Sequence, residues 1–185
     1  MQWAQIRGAR EEAVALGRLP AAEAHHEHAV VWGLALAATG DRESARTRMA
    51  TVIEKRFQSN DDLRDWSVSS LAMVQAISGE TAAALASAAE LERLIPDAHA
   101  QSPRVFRARL ASIYAWAGDK DRALRELTGL LREPGVHFKR LESGDDYRTR
   151  INVHELRTSL EFSPLQGDPR FEALLNDPKN NAPLF

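Results

Sequence analysis

Three glycines, Gly40, Gly79 and Gly118, stand 39 residues apart, each inside the same local phrase: ALAATGDRESARTRM, MVQAISGETAAALASA and SIYAWAGDKDRALREL. Self-similarity at a fixed interval of this size marks stacked helical hairpins, because a single hairpin cannot bury its apolar face alone. The glycine suits the left-handed backbone that ends a first helix. The acidic residue that follows (Asp41, Glu80, Asp119) suits the positive end of a second helix.

The flanking periodicity agrees. Ala29, Trp32, Gly33 and Leu36 precede the first glycine, Val68, Leu71, Ala72 and Gln75 the second, and Arg107, Leu110, Ala111 and Tyr114 the third. Offsets of three, four and seven place each set on one helix face. Gln75 and Arg107 are the polar exceptions. Downstream, Ala45, Met49 and Val52 match Ala84, Ala88 and Leu91, and then Ala123, Leu127 and Leu130, as the inward face of the second helix. Small residues at Gly33, Ala72 and Ala111, opposite the three alanines, predict a close helix approach.

The boundaries follow from these signals. We read one all-α domain over 1–185, an α-solenoid of antiparallel helix hairpins. It comprises an extra N-terminal helix at 1–20, repeats at 23–57, 61–96 and 103–134, and a C-terminal cap and tail at 135–185. Ser102-Pro103 reads as a helix cap followed by a proline at the first position. Asn60, Asp61 and Asp62 offer a cap and favourable charge for the helix that follows them, through Ser78. Trp3, Ile6, Ala9, Ala13 and Leu16 form the N-terminal stripe. Counting back 39 from Gly40 reaches Met1, so this helix takes the place of a second helix without its first partner. It is expected either to cap the stack or to continue a longer protein. The stretch GVHFKRLESGDDYRTRINVHEL mixes polar and apolar residues without a period and predicts short helices at most.

Composition narrows the function classes. A net charge of −2, with 27% charged residues, generates no field that selects nucleic acid or an anionic membrane. The twenty arginines are dispersed. No cysteine is present, which removes disulfides, a thiolate nucleophile and a Cys-based zinc site, and fits a cytoplasmic setting. Charges interrupt every stretch long enough to cross a membrane. No Gly-rich phosphate loop, nucleophile elbow or kinase signature occurs, so we expect no enzyme and no cofactor.

The repeat resembles the tetratricopeptide family. Leu110-Ala111, Tyr114, Gly118-Asp119, Ala123 and Pro134 carry the likeness best, followed by Leu71-Ala72, Gly79, Ala84 and Pro96, and then Trp32-Gly33, Gly40 and Ala45. The chain departs from the family at Arg107, where a bulky apolar residue is usual, and at Met49, Ala88 and Leu127, where an aromatic is usual. The period exceeds the family's 34 residues and approaches that of HEAT-type repeats; the surplus falls between units, in KRFQSNDDLR and IPDAHAQSP. The ending Phe162-Ser163-Pro164-Leu165-Gln166-Gly167-Asp168-Pro169-Arg170-Phe171-Glu172-Ala173-Leu174-Leu175 is similar to the close of tetratricopeptide regions in bacterial multidomain signalling proteins, among them transcriptional regulators, serine/threonine kinases and adenylate cyclases. Gln166 replaces their usual arginine. Within this segment Asp168 reads as a cap, and Phe171, Leu174 and Leu175 as a stripe able to cover the last repeat's open end.

The resemblance implies a non-catalytic protein-interaction scaffold whose first helices line a concave groove. Carried onto this chain, the partner-binding positions are Val30, Leu34, Trp66, Ser69, Met73, Val105, Ser112 and Trp116, with Glu27, Ala37, Ala38, Ala76, Ile77, Ala108 and Ala115 beside them. None is Lys, Asn or Arg, so the carboxylate clamp of the chaperone-binding members is not expected. An apolar groove of this kind suits a peptide or helix from a protein partner. Occupation by the chain's own N-terminal helix or tail is the competing expectation. A small-molecule-sensing regulatory domain, which would enclose a pocket, self-association, and a metal-dependent enzyme with its metal at His25 and His28 are the other readings. His25 and His28 have metal-ligand spacing without a third ligand on their face, and Asp145-Asp146 reads as a solvated loop.

Overall fold

The computed structural model describes residues 33–47, 49, 64–95, 103–132, 137–139, 146–148 and 151–180; for 64–66 and the two strands the description is of the backbone. At the heart of this predominantly helical structure are the three glycine turns. Gly40, Gly79 and Gly118 have φ of 90°, 83° and 87°, the left-handed region in which a Cβ is disfavoured. In each turn the glycine N–H donates to the carbonyl three residues back (Ala37, Ala76, Ala115). The next N–H donates to the carbonyl five back (Leu36, Gln75, Tyr114). This pair of bonds is the Schellman closure, which satisfies helix-end carbonyls. The acidic residue then opens the next helix, its own carbonyl accepting from Ala45, Ala84 or Ala123. Asp41 and Asp119 also accept, through Oδ1, from Ser44 N–H at 3.2 Å and Arg122 N–H at 3.1 Å. Glu80 makes no side-chain cap.

Helical residues 33–38 and 42–47 flank the first turn. The second joins α1 (Arg64–Ile77) to α2 (Thr81–Leu94), and the third joins α3 (Pro103–Ala117) to α4 (Lys120–Arg132). α1 packs on α2, α3 on α4, and α3 touches both helices of the preceding hairpin. Small residues set the helix spacing: Ala45, Ala72, Ala84, Ala111 and Ala123 are completely buried. A Cβ on Gly33 would collide with Met49, meeting Cγ at 2.8 Å and Sδ closer still.

The polar exceptions on the apolar stripe become clips within hairpins. Gln75 Oε1 accepts from Ser87 Oγ at 2.8 Å, linking α1 to α2. Arg107 pairs with Glu126 at 2.9 Å, linking α3 to α4, and its guanidinium crosses Gly129, where a Cβ would lie 2.6 Å from Nη2. Between hairpins, the Tyr114 hydroxyl donates to Glu92 at 2.6 Å while Arg122 sits 5.2 Å from the ring centroid. Burial, followed by the Glu92 hydrogen bond, pushes the Tyr114 hydroxyl up to about 12.

The tail departs from expectation first at its start. His137–Lys139 (β1) and Asp146–Arg148 (β2) form an antiparallel ladder with Phe138 opposite Tyr147 and Lys139 opposite Asp146. The reading of short helices, and of Asp146 as a loop residue, is corrected here. The cue was Ser143-Gly144-Asp145, turn-forming types between two short runs that each centre on an aromatic residue. Beyond the ladder lie α5 (Val153–Thr158), a 3-10 helix (Leu160–Leu165) and α6 (Pro169–Asn176). Asn152 caps α5 by accepting from Glu155 N–H at 2.9 Å.

This tail repeats the grammar of the hairpins at a longer offset. Gly167 has φ 80°, Asp168 caps the following helix by accepting from Arg170 N–H at 3.0 Å, and Glu172 N–H donates to the Asp168 carbonyl. Ser112 meets Glu161, and Asp121 meets Arg170, each pair 49 residues apart, as are Gly118 and Gly167. The surplus over 39 falls in the stretch that carries the strand pair. The 3-10 helix packs on α3, and α6 on α4 and α5. Leu156, Leu160, Phe162, Leu165, Phe171 and Leu175 are buried, and Leu174 is half-buried.

Arg170 fastens this last hairpin. It grips both oxygens of Asp168, at 3.2 and 3.1 Å, and reaches Asp121 on α4, while Lys120 lies 3.8 Å from Asp168. The Arg170 side chain, then its backbone N–H, hold the Asp168 carboxyl down at about 2.

Two outcomes follow. A Cβ on Gly118 would stand in open space, so Gly118→Ala tests backbone strain alone and should cost about 1–2 kcal/mol in urea unfolding, with Gly118→Asn costing less. Equal losses for the two would contradict a left-handed requirement. Asp168 titrates lower when folded than unfolded, so its charge stabilises above the unfolded value near ~4 and the benefit disappears as pH falls towards 2. Melting curves of wild type and Asp168→Asn should therefore converge across that interval, whereas a constant gap down to pH 2 would show that the charge is idle.

Candidate functional site

The inner-face residues come chiefly from α1 and α3. Leu34, Met73 and Ser112 follow one another at the repeat interval, and Glu161 continues the column in the tail. Ser112 Oγ lies 3.2 Å from the Glu161 carbonyl and 3.8 Å from Met73 Sδ; the carbonyl is much the better acceptor. One turn earlier, Arg109 Nη1 donates to Ser69 Oγ at 3.4 Å, and one turn later Trp116 shares the same helix face.

These positions are interior. Leu34, Ser69, Met73 and Ser112 are at most 3% exposed and Trp116 is 7% exposed; Val105 is half-buried. Ala37, Ala76, Ile77 and Ala115 are buried as well, while Ala38 and Ala108 are half-buried. Val30, the Trp66 side chain, Glu27, His25 and His28 lie outside the described residues, as do the N-terminal stripe and the caps at Ser102 and Asn60–Asp62. The groove drawn from the repeat pattern is therefore a packed face where the structure describes it, and along α3 the 3-10 helix lies against it.

Two polar groups stand out on this face, of which the sequence names only Trp116, as a groove position. Trp116 Nε1 is buried with no hydrogen-bond acceptor among the described residues. Glu161 is half-buried as a residue, yet the protein around its carboxyl pushes its pKa above the usual carboxylate range, with Arg109 opposing the shift. The spacing Arg109, Ser112, Trp116 could have revealed one polar stripe on α3. Glu161 could not be placed there, because its contact spans 49 residues.

An accessible concavity lies elsewhere. Because α6 stops at Asn176, the second half of α4 is left partly uncovered, and a cleft of about 380 Å³ opens between Thr128, Leu131 and Arg132 on one wall and Leu174, Lys179 and Asn180 on the other. Its far wall is a tight turn in which Asp177 accepts from Lys179 N–H at 2.9 Å and Asn180 Nδ2 donates to the Leu174 carbonyl at 2.9 Å. Leu131 and Leu174 are half-buried, and Arg132 and Lys179 are exposed.

Among the described residues, no group of three or more His, Asp or Glu could hold a metal ion, and no helix is long and apolar enough to cross a membrane. His154 is exposed on α5. Comparison of the chain with protein-family models, with curated proteins and with solved structures found no match.

Burial at Trp116 changes what its removal reports. Trp116→Ala should lower unfolding stability by about 3–5 kcal/mol, as for other large-to-small core changes. A loss under about 1 kcal/mol in chemical denaturation would place the indole at a surface instead.

Proposed function

We propose that this chain is a non-catalytic scaffold that docks a peptide or helix from a protein partner, built as a tetratricopeptide-like solenoid. The observation that carries the reading is the threefold recurrence of one turn, with the same φ, the same two carbonyl closures and the same acidic opening of the next helix. Arrays of this kind use binding energy spread along stacked helices. The polar groups brought together on the inner face are clips and caps, and they lack a nucleophile paired with a base. The tail's likeness to the close of tetratricopeptide regions in bacterial signalling proteins supports a cytoplasmic docking role in such a system.

Burial of the inner face moves the expected contact surface towards the open end of the last hairpin. The sensing alternative would favour an enclosed apolar pocket. The cleft at α4 has two leucines among mostly polar and charged lining residues, a composition closer to a peptide contact.

Peptide display against the full chain tests the reading. Enriched peptides should bind saturably at one per chain, with affinity unchanged by a metal chelator. Failure to recover any saturable binder, or binding that requires a metal ion, would overturn the scaffold assignment.

A further inference from the structure

The cleft beside α4 is a consequence of unequal helix lengths. α4 runs for 13 residues and α6 for 8, so the terminal hairpin covers the first part of α4 and leaves Thr128, Leu131 and Arg132 beside open space. The floor carries two leucine side chains, each only half-covered. The rim carries two cations, Arg132 from α4 and Lys179 from the 177–180 turn, and neither has an ion-pair partner among the described residues. One carboxylate, Asp177, lines the same cleft and accepts from the Lys179 backbone N–H, which anchors the turn. An apolar floor and a rim with two cations against one carboxylate together form a complementary pair of demands. A partner must cover leucine and bring negative charge to both edges.

We propose that this cleft docks an acidic peptide segment in which a large apolar side chain is flanked by carboxylates, the apolar group lying on Leu131 and Leu174 and the carboxylates facing Arg132 and Lys179. The proposal rests on the scaffold reading and names its partner chemistry. The volume of about 380 Å³ falls within the span of small-ligand sites, room for a side chain and its adjoining backbone rather than for a whole domain. The walls are held from behind: Thr128 Oγ1 donates to the Leu124 carbonyl at 2.7 Å, and Asn180 closes on Leu174. The side chains on the rim are exposed, so they can meet a ligand without unfolding any element.

The test uses the full chain and acetylated, amidated peptides, which removes terminal charges as a source of binding. Ser-Asp-Leu-Asp-Ser is compared with Ser-Asn-Leu-Asn-Ser and Ser-Asp-Ala-Asp-Ser, following the Leu131 and Leu174 methyl resonances. Saturable shifts of both methyls are expected with the first peptide. Its affinity should exceed that of either control at least fivefold, fall at least fivefold in the Arg132→Ala/Lys179→Ala chain, and weaken as salt rises. Equal affinity for the three peptides, or an unperturbed Leu131–Leu174 pair, would overturn the proposal. If display peptides bind and are indifferent to Arg132→Ala/Lys179→Ala, the scaffold reading stands and the cleft assignment falls. If nothing binds in either experiment, both fall together.

Discussion

At φ between 83° and 90°, Gly40, Gly79 and Gly118 reverse the chain within two or three residues while closing the helix end with two hydrogen bonds and opening the next helix from the adjacent acidic residue. Everything else in the hairpins depends on that geometry. Once the turn is this short, the two helices must run side by side, and their separation is decided by whatever stands at the crossing. Alanine and glycine stand there, the alanines completely buried, so the helices approach closely and bury their apolar stripes against each other. A bulkier residue would have to displace a packed neighbour, as the Gly33–Met49 contact illustrates.

The last hairpin shows the same device under different constraints. Gly167 and Asp168 repeat the left-handed glycine and the acidic cap without the five-back closure, since Asp168 N–H donates to the Leu165 carbonyl; the preceding helix is broken into α5 and a 3-10 segment containing Pro164, and α6 is short. Such a unit buries its inward residues and presents polar ones outward: Glu172 and Asn176 are exposed while Phe171 and Leu175 are buried. In the solenoid proposed above, an end of this kind keeps an outer apolar face out of water. The Arg170–Asp168–Asp121 cluster adds direction at the rim, and its mostly exposed pairs are of the modest strength usual at surfaces.

Much of this was legible locally. The glycine period located the turns, and the offsets of three, four and seven identified most of the described residues of the buried stripes, with Leu71, Gln75 and Arg107 half-buried. Asp168-Pro169 announced the start of α6. What was not legible depends on contacts between distant segments. Leu34, Ser69, Met73, Ser112 and Trp116 were read from their register as a groove, with filling by the chain's own N-terminal helix or tail as the competing expectation, because register states which face a residue occupies and not what is packed against that face. Glu161 and Arg109 became neighbours through a fold-back of about fifty residues, for which no period exists. The strand pair was missed because three-residue strands carry too little alternation to outweigh a mixed composition.

The amino-acid order by itself determined where the helices end, which way each turn goes and which residues face inward, since those outcomes depend on backbone sterics and on neighbours three or four residues away. Tertiary structure alone decided which inward face remains accessible. Packing joined the tail to α3 and α4 and buried the described part of the inner face. The mismatch between a helix of 13 residues and one of 8 then left its opening beside Arg132 and Lys179, a difference of length that only becomes a cleft when the two helices are set against each other.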